Sequence, residues 1–91
     1  MARAGFRIFG RVQGVGFRWF VLQQARKLGI TRGMARNLGD GSVEVVAEGE
    51  RAQLDALELD LNRGPRSAHV ERVEKFDLPH ELELPKSFDT D

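Results

Sequence analysis

Apolar and polar residues alternate through "AGFRIFGRV" (residues 4–12), with Phe6, Ile8, Gly10 and Val12 on one side and Arg7, Phe9 and Arg11 on the other. A period of two over this length predicts a β-strand with one buried face. Beyond a glycine-rich stretch the period changes, and Phe17, Phe20, Val21, Ala25 and Leu28 recur at helical spacing. Arg26 and Lys27 fall in the last turn, and Gly29 can take the left-handed dihedrals that stop a helix. "GMARNL" (33–38) predicts a short strand, and "GDG" turns it into "SVEVVAE" (42–48), whose Val43, Val45 and Ala47 share a face. The pair reads as a hairpin. A second helix is predicted from Glu50 to about Arg63, with Leu54, Leu57 and Leu61 as its apolar stripe and Gly64–Pro65 as its end. "SAHVERVEKF" (67–76) is extended, but its alternation breaks at Val73, which predicts a bulge or an early end there. From Leu78 the chain is acidic and punctuated by proline, so residues 78–91 predict a tail with at most a weak or irregular last strand.

The order strand, helix, strand, strand, helix, strand predicts an α+β fold, the ferredoxin-like two-layer sandwich (βαββαβ). In it two helices bury their stripes on one face of an antiparallel sheet. The first crossover then joins two parallel, non-adjacent strands, which finish at the same edge of the sheet. That edge brings the glycine-rich loop and Asn37 together.

The chain is 91 residues long, which fits one domain over residues 1–91. No apolar window approaches a membrane span and Arg3 and Arg7 interrupt the N-terminus, so a cytoplasmic location is expected, with no membrane partner. With no cysteine there is no disulfide, thiolate nucleophile or Cys-based metal site. The net charge of zero conceals an asymmetry: residues 1–46 carry eight Arg and Lys against Asp40 and Glu44, and the remainder is acidic. An electropositive first half suits an anionic ligand. No dense basic run is present, which favours a small anion over a nucleic acid.

"GRVQGVGFR" (10–18) sits where the strand pattern gives way to the helical one. Backbone N–H groups of such a turn can converge on one anion, and the helix N-terminus adds unsatisfied donors and its dipole. Gly14 and Gly16 permit the turn, Gln13 and Val15 hold its shape, and Arg18 can fork onto two phosphate oxygens. Taken alone, the loop is equally compatible with a plain strand-to-helix turn and a solvated arginine.

The stretch "GRVQGVGFR" resembles the signature loop of the acylphosphatases, and "GMARNLGDGSVEVVAEG" resembles their second signature, in the same order. The resemblance runs from about residue 5 to residue 77. It implies hydrolysis of the carboxyl–phosphate bond of small acyl phosphates, with inorganic phosphate as product and neither metal nor cofactor. By the same resemblance Gln13, Gly14, Val15, Gly16, Phe17 and Arg18 form the phosphate-binding loop, Arg18 is the phosphate-binding arginine, and Asn37 positions the attacking water. "GVGFR" also occurs in a related domain of hydrogenase-maturation carbamoyltransferases, so a carbamoyl-phosphate-handling domain is an alternative. The family often closes with an apolar strand, whereas this chain ends "PKSFDTD".

The chemistry is compatible with so few residues. A carboxylate leaves without a proton donor, and phosphoryl transfer through a loose transition state needs mostly positioning and charge stabilisation. His69 and His80 read as surface or packing residues, Asp40 as a turn former, and Phe17, Trp19 and Phe20 as core or edge aromatics, with Trp19 off the apolar stripe. Arg36 reads either as a solvated strand residue or as a second electropositive contact. A monomer is expected. The alternative from another class is a non-catalytic ferredoxin-like module for an anion or RNA, which requires aromatics exposed on the sheet face; Phe9 is the one clearly placed there.

Overall fold

A computed structural model describes residues 1–91. In chain order the elements are β1 (Ala2–Arg11), α1 (Phe17–Leu28), β2 (Arg32–Asn37), β3 (Val43–Gly49), α2 (Arg51–Arg63), β4 (His69–Phe76) and β5 (Asp89–Thr90). The sheet order is β4-β1-β3-β2-β5. The first four strands pair antiparallel, which with two helices on one face gives the ferredoxin-like sandwich that the periodicities predict. β5 adds a short parallel pairing, Met34 with Asp89 and Ala35 with Thr90, and makes the sheet mixed.

The core fills the space between sheet and helices. Phe6, Ile8, Val43 and Val45 rise from the sheet to meet Phe17, Val21 and Ala25 of α1 and Leu54, Leu57 and Leu61 of α2. Both predicted helical stripes are the buried faces. Their entries differ. Glu50 caps α2 in a capping box with Gln53, whereas α1 begins after Gly16 with no side-chain cap.

The irregularity in β4 lies two residues earlier than predicted. Phe9 pairs with Arg72 and Gly10 with Val70, so Glu71 is the extra residue rather than Val73. The insertion returns Val70 and Val73 to the same face, where both pack on the core. The sequence break at Val73 is the downstream trace of that bulge.

On the face away from the helices, register aligns charges into rows. Glu48 lies between Arg3 (3.0 Å) and Arg32 (3.9 Å), and Glu44 between Arg36 (2.8 Å) and Arg7 (3.6 Å). Half of the cations of the electropositive first half are thus engaged by carboxylates on the sheet face away from the helices, and Arg36 is one of them. Phe9 is on this face too, but the Arg72 guanidinium sits 3.9 Å over its ring, so it offers no free stacking platform.

The tail is held by isolated anchors rather than by a long strand. Leu84 is buried and Phe88 packs on the core. The Gly33 amide donates to Pro85, and the Asp91 amide donates to Ala35. No helix is long and apolar enough to cross a membrane.

Candidate active site

Strand register accounts for the position of Asn37. Ile8, Val43 and Asn37 lie in one row across β1, β3 and β2, at the end of the sheet from which the glycine-rich loop departs. Alternation from Ala35, which is fully buried, turns Asn37 to the helix side of the sheet and Arg36 to the opposite side. Asn37 is exposed because β2 ends there, beside the start of α1.

The loop completes the arrangement. Gly14 (φ 73°) and Gly16 (φ 77°) both occupy the left-handed region, and a Cβ at either would meet nothing within 4 Å. Glycine is needed there for its dihedrals and not for space. The first helical bond of α1 runs from the Phe20 amide to the Gly16 carbonyl at 3.0 Å. The amides of Phe17, Arg18 and Trp19 therefore have no intrahelical acceptor, and Gly16 has no side chain to supply one.

These pieces enclose a cleft of about 270 Å³ lined by Val12, Gly14, Gly16, Phe17, Arg18, Trp19, Asn37 and Thr90. Val12 and Phe17 are buried and form its floor. Arg18 is the only Lys or Arg in the lining, and its Nη1 donates to the main-chain oxygen of Asp91. Gln13 and Val15 are not in the lining and are held from outside. The Gln13 Nε2 donates to the carbonyls of Leu38 and Ser42, each at 2.8 Å, and the Val15 carbonyl accepts from Ser67 Oγ at 2.7 Å. His69 and His80 lie outside the cleft, and no group of three or more His, Asp or Glu side chains is arranged to hold a metal ion.

Asp40 serves the hairpin turn. Its Oδ1 accepts from the Ser42 hydroxyl (2.5 Å) and the Ser42 amide (3.0 Å). These bonds, the hydroxyl first, hold its pKa below the ordinary carboxylate value.

The acylphosphatase family model matches residues 4–90. The chain belongs to the acylphosphatase family. It is 52% identical over 82 residues to an acylphosphatase of Thermococcus kodakarensis, covering 89% of each chain. The crystal structure of the Bacillus subtilis acylphosphatase superposes with a TM-score of 0.90 at 32% identity, over 100% of this chain and 99% of that one. T. kodakarensis HypF also contains a similar unit: TM-score 0.83, 34% identity, 100% of this chain but 12% of that one. The resemblance read from the two motifs is thus borne out, and the fold is that of acylphosphatase structures.

Within this acylphosphatase fold, sequence reasoning missed Thr90, Ser67 and Asp91. Thr90 and Asp91 reach the cleft only because β5 pairs with β2, a contact that nothing local in "FDTD" signals. Ser67 sits in a loop before β4, and its bond to Val15 spans 52 residues of sequence.

Proposed function

We propose that this acylphosphatase-family chain hydrolyses the carboxyl–phosphate bond of small acyl phosphates, with Arg18 and the 13–18 loop binding the phosphoryl group and Asn37 positioning water. The observation that carries the reading is the shared cleft. One arginine, two left-handed glycines, an uncapped helix start and an exposed carboxamide converge on a single space. The contrast between the helices supports it: a carboxylate, Glu50, satisfies the start of α2, and an anion bound from solution satisfies the start of α1.

In this reading the loop amides and the Arg18 fork hold the three phosphoryl oxygens and spread the charge that gathers there in the transition state. The Asn37 carboxamide orients water opposite the departing carboxylate but does not accept its proton, since an amide is not a base at neutral pH. The proton passes to a phosphoryl oxygen, giving inorganic phosphate and a carboxylate. The leaving group is already a weak base and requires no acid. Arg18 exchanges its Asp91 partner for the phosphoryl group on binding, so the guanidinium is not left without an acceptor in either state.

The test is hydrolysis of benzoyl phosphate beside p-nitrophenyl phosphate with EDTA present. Cleavage of the anhydride alone supports the reading. Equal cleavage of the ester points to a general phosphatase, and silence on both to a binding module.

A further inference from the structure

We propose that Trp19 is the contact for the acyl group and that it selects acyl phosphates with a flat or extended apolar acyl moiety over short ones. This rests on the assignment of the phosphoryl group to the loop. With the phosphoryl group held by the 13–18 amides and Arg18, the acyl group must point out of the cleft. The remaining lining then decides what it meets. Val12 and Phe17 form the floor and are inaccessible, at 1% and 2% exposure. Gly14 and Gly16 have no side chains, and Asn37 and Thr90 are polar. Trp19, 57% exposed, is the one large apolar surface left on the rim.

Packing does not account for the indole. The buried stripe of α1 is Phe17, Val21 and Ala25, and Trp19 lies off it. Phe20, the neighbouring aromatic, is accounted for by its edge contact to Phe17 at 5.8 Å and by Arg63 over its ring. Trp19 has no such partner in the protein. An aromatic acyl group departing from the Arg18 side of the cleft can cover it, removing apolar area of both partners from water. An acetyl group is too short to cover much of it.

The experiment compares kcat/KM for benzoyl phosphate and acetyl phosphate in the wild type, Trp19→Ala and Trp19→Phe. The benzoyl-to-acetyl ratio is expected to fall about fivefold in Trp19→Ala, the size of one aromatic contact, and to be largely restored in Trp19→Phe. Trp19 is the only tryptophan, so its emission supplies a second readout that needs neither turnover nor a variant. Benzoylphosphonate, a non-hydrolysable analogue, is expected to shift the emission to shorter wavelength as it covers the indole, and inorganic phosphate is not. A ratio unchanged in Trp19→Ala, with no emission response to benzoylphosphonate, overturns the proposal while leaving the hydrolysis reading intact. An emission response in a protein that cleaves neither substrate upholds the contact and defeats the hydrolysis reading.

Discussion

The side-chain amide of Gln13 lies 2.8 Å from the main-chain oxygen of Leu38, the residue that follows Asn37. The same nitrogen reaches Ser42, so one side chain fastens the glycine-rich loop to both sides of the hairpin turn. The distance between the proposed phosphate cradle and the proposed water-positioning residue depends on this clamp. Gln13→Ala is expected to cost ~1–2 kcal/mol of stability and to lower kcat more than it weakens phosphate binding. Gln13→Glu should be worse, because a carboxylate would face two carbonyl oxygens. Melting curves and steady-state kinetics on benzoyl phosphate check both, and a kcat at the wild-type level in Gln13→Glu would refute the clamp.

Arg18 and Asn37 are expected to fail in different ways. Arg18→Ala loses charge-assisted bonds of ~1.5–3 kcal/mol, so phosphate binding should weaken by at least tenfold and turnover should vanish. Arg18→Lys should recover little, since a point charge does not reproduce the fork. Asn37→Ala should keep most of its phosphate affinity while kcat collapses, as for an interaction made mainly on the way to the transition state. Calorimetric titration with phosphate, alongside turnover, separates the two patterns.

Gly14→Val is expected to damage activity more than stability. The Cβ has room, so the whole penalty is the left-handed dihedral, ~1–3 kcal/mol concentrated in the loop. Gly14→Asn should be milder, because asparagine tolerates that region. If valine and asparagine prove equally active, the loop does not need the dihedral.

Asp40 gives a pH signature to stability. Its pKa is lowered from 3.8 in the folded state, so its contribution is fully present above pH 3.8 and is lost as the pH falls through the lower folded value. The stability advantage of the wild type over Asp40→Ala should therefore hold near neutrality and shrink on acidification below 3.8. Denaturant midpoints of the pair across that range measure it; a constant difference would mean the carboxylate charge is irrelevant to the turn.

Inorganic phosphate is expected to compete with substrate, and EDTA to leave the rate unchanged, since no ligand cluster is present to be stripped of a metal. Initial rates over a phosphate series suffice. A rate indifferent to a large excess of phosphate would move the anion site away from the loop.

Most of the fold was legible because its signals are local. The change of period at Phe17, the Leu54–Leu57–Leu61 stripe and the glycines at helix ends each describe a short segment, and the structure follows them. The proposed site was legible for a related reason: parity from Ala35 and register through Val43 carry Asn37 to the loop's end of the sheet. What was hidden depends on distant partners. The bulge at Glu71 shows in the sequence only at Val73, where alternation has already resumed on a shifted count. Arg36 fits a solvated strand residue and a second electropositive contact equally well by its own position, and only its partner on the neighbouring strand, Glu44, decides between them. The tail's anchors, Leu84 and Phe88, are not marked by any local pattern: Leu82 shares the alternation of residues 81–84 with Leu84 yet is exposed.

The return of the last residues beside β2 makes the two ends of the chain unequal places to attach anything. Asp91 touches Arg18, so a purification tag, a fluorophore or a surface linker appended after it would emerge at the mouth of the cleft and contend for the same guanidinium. Met1 is exposed and precedes a ten-residue strand that runs toward the loop, which puts it ~30 Å from the arginine. A handle placed there leaves the cleft clear, and immobilised protein would present its open edge to the solution.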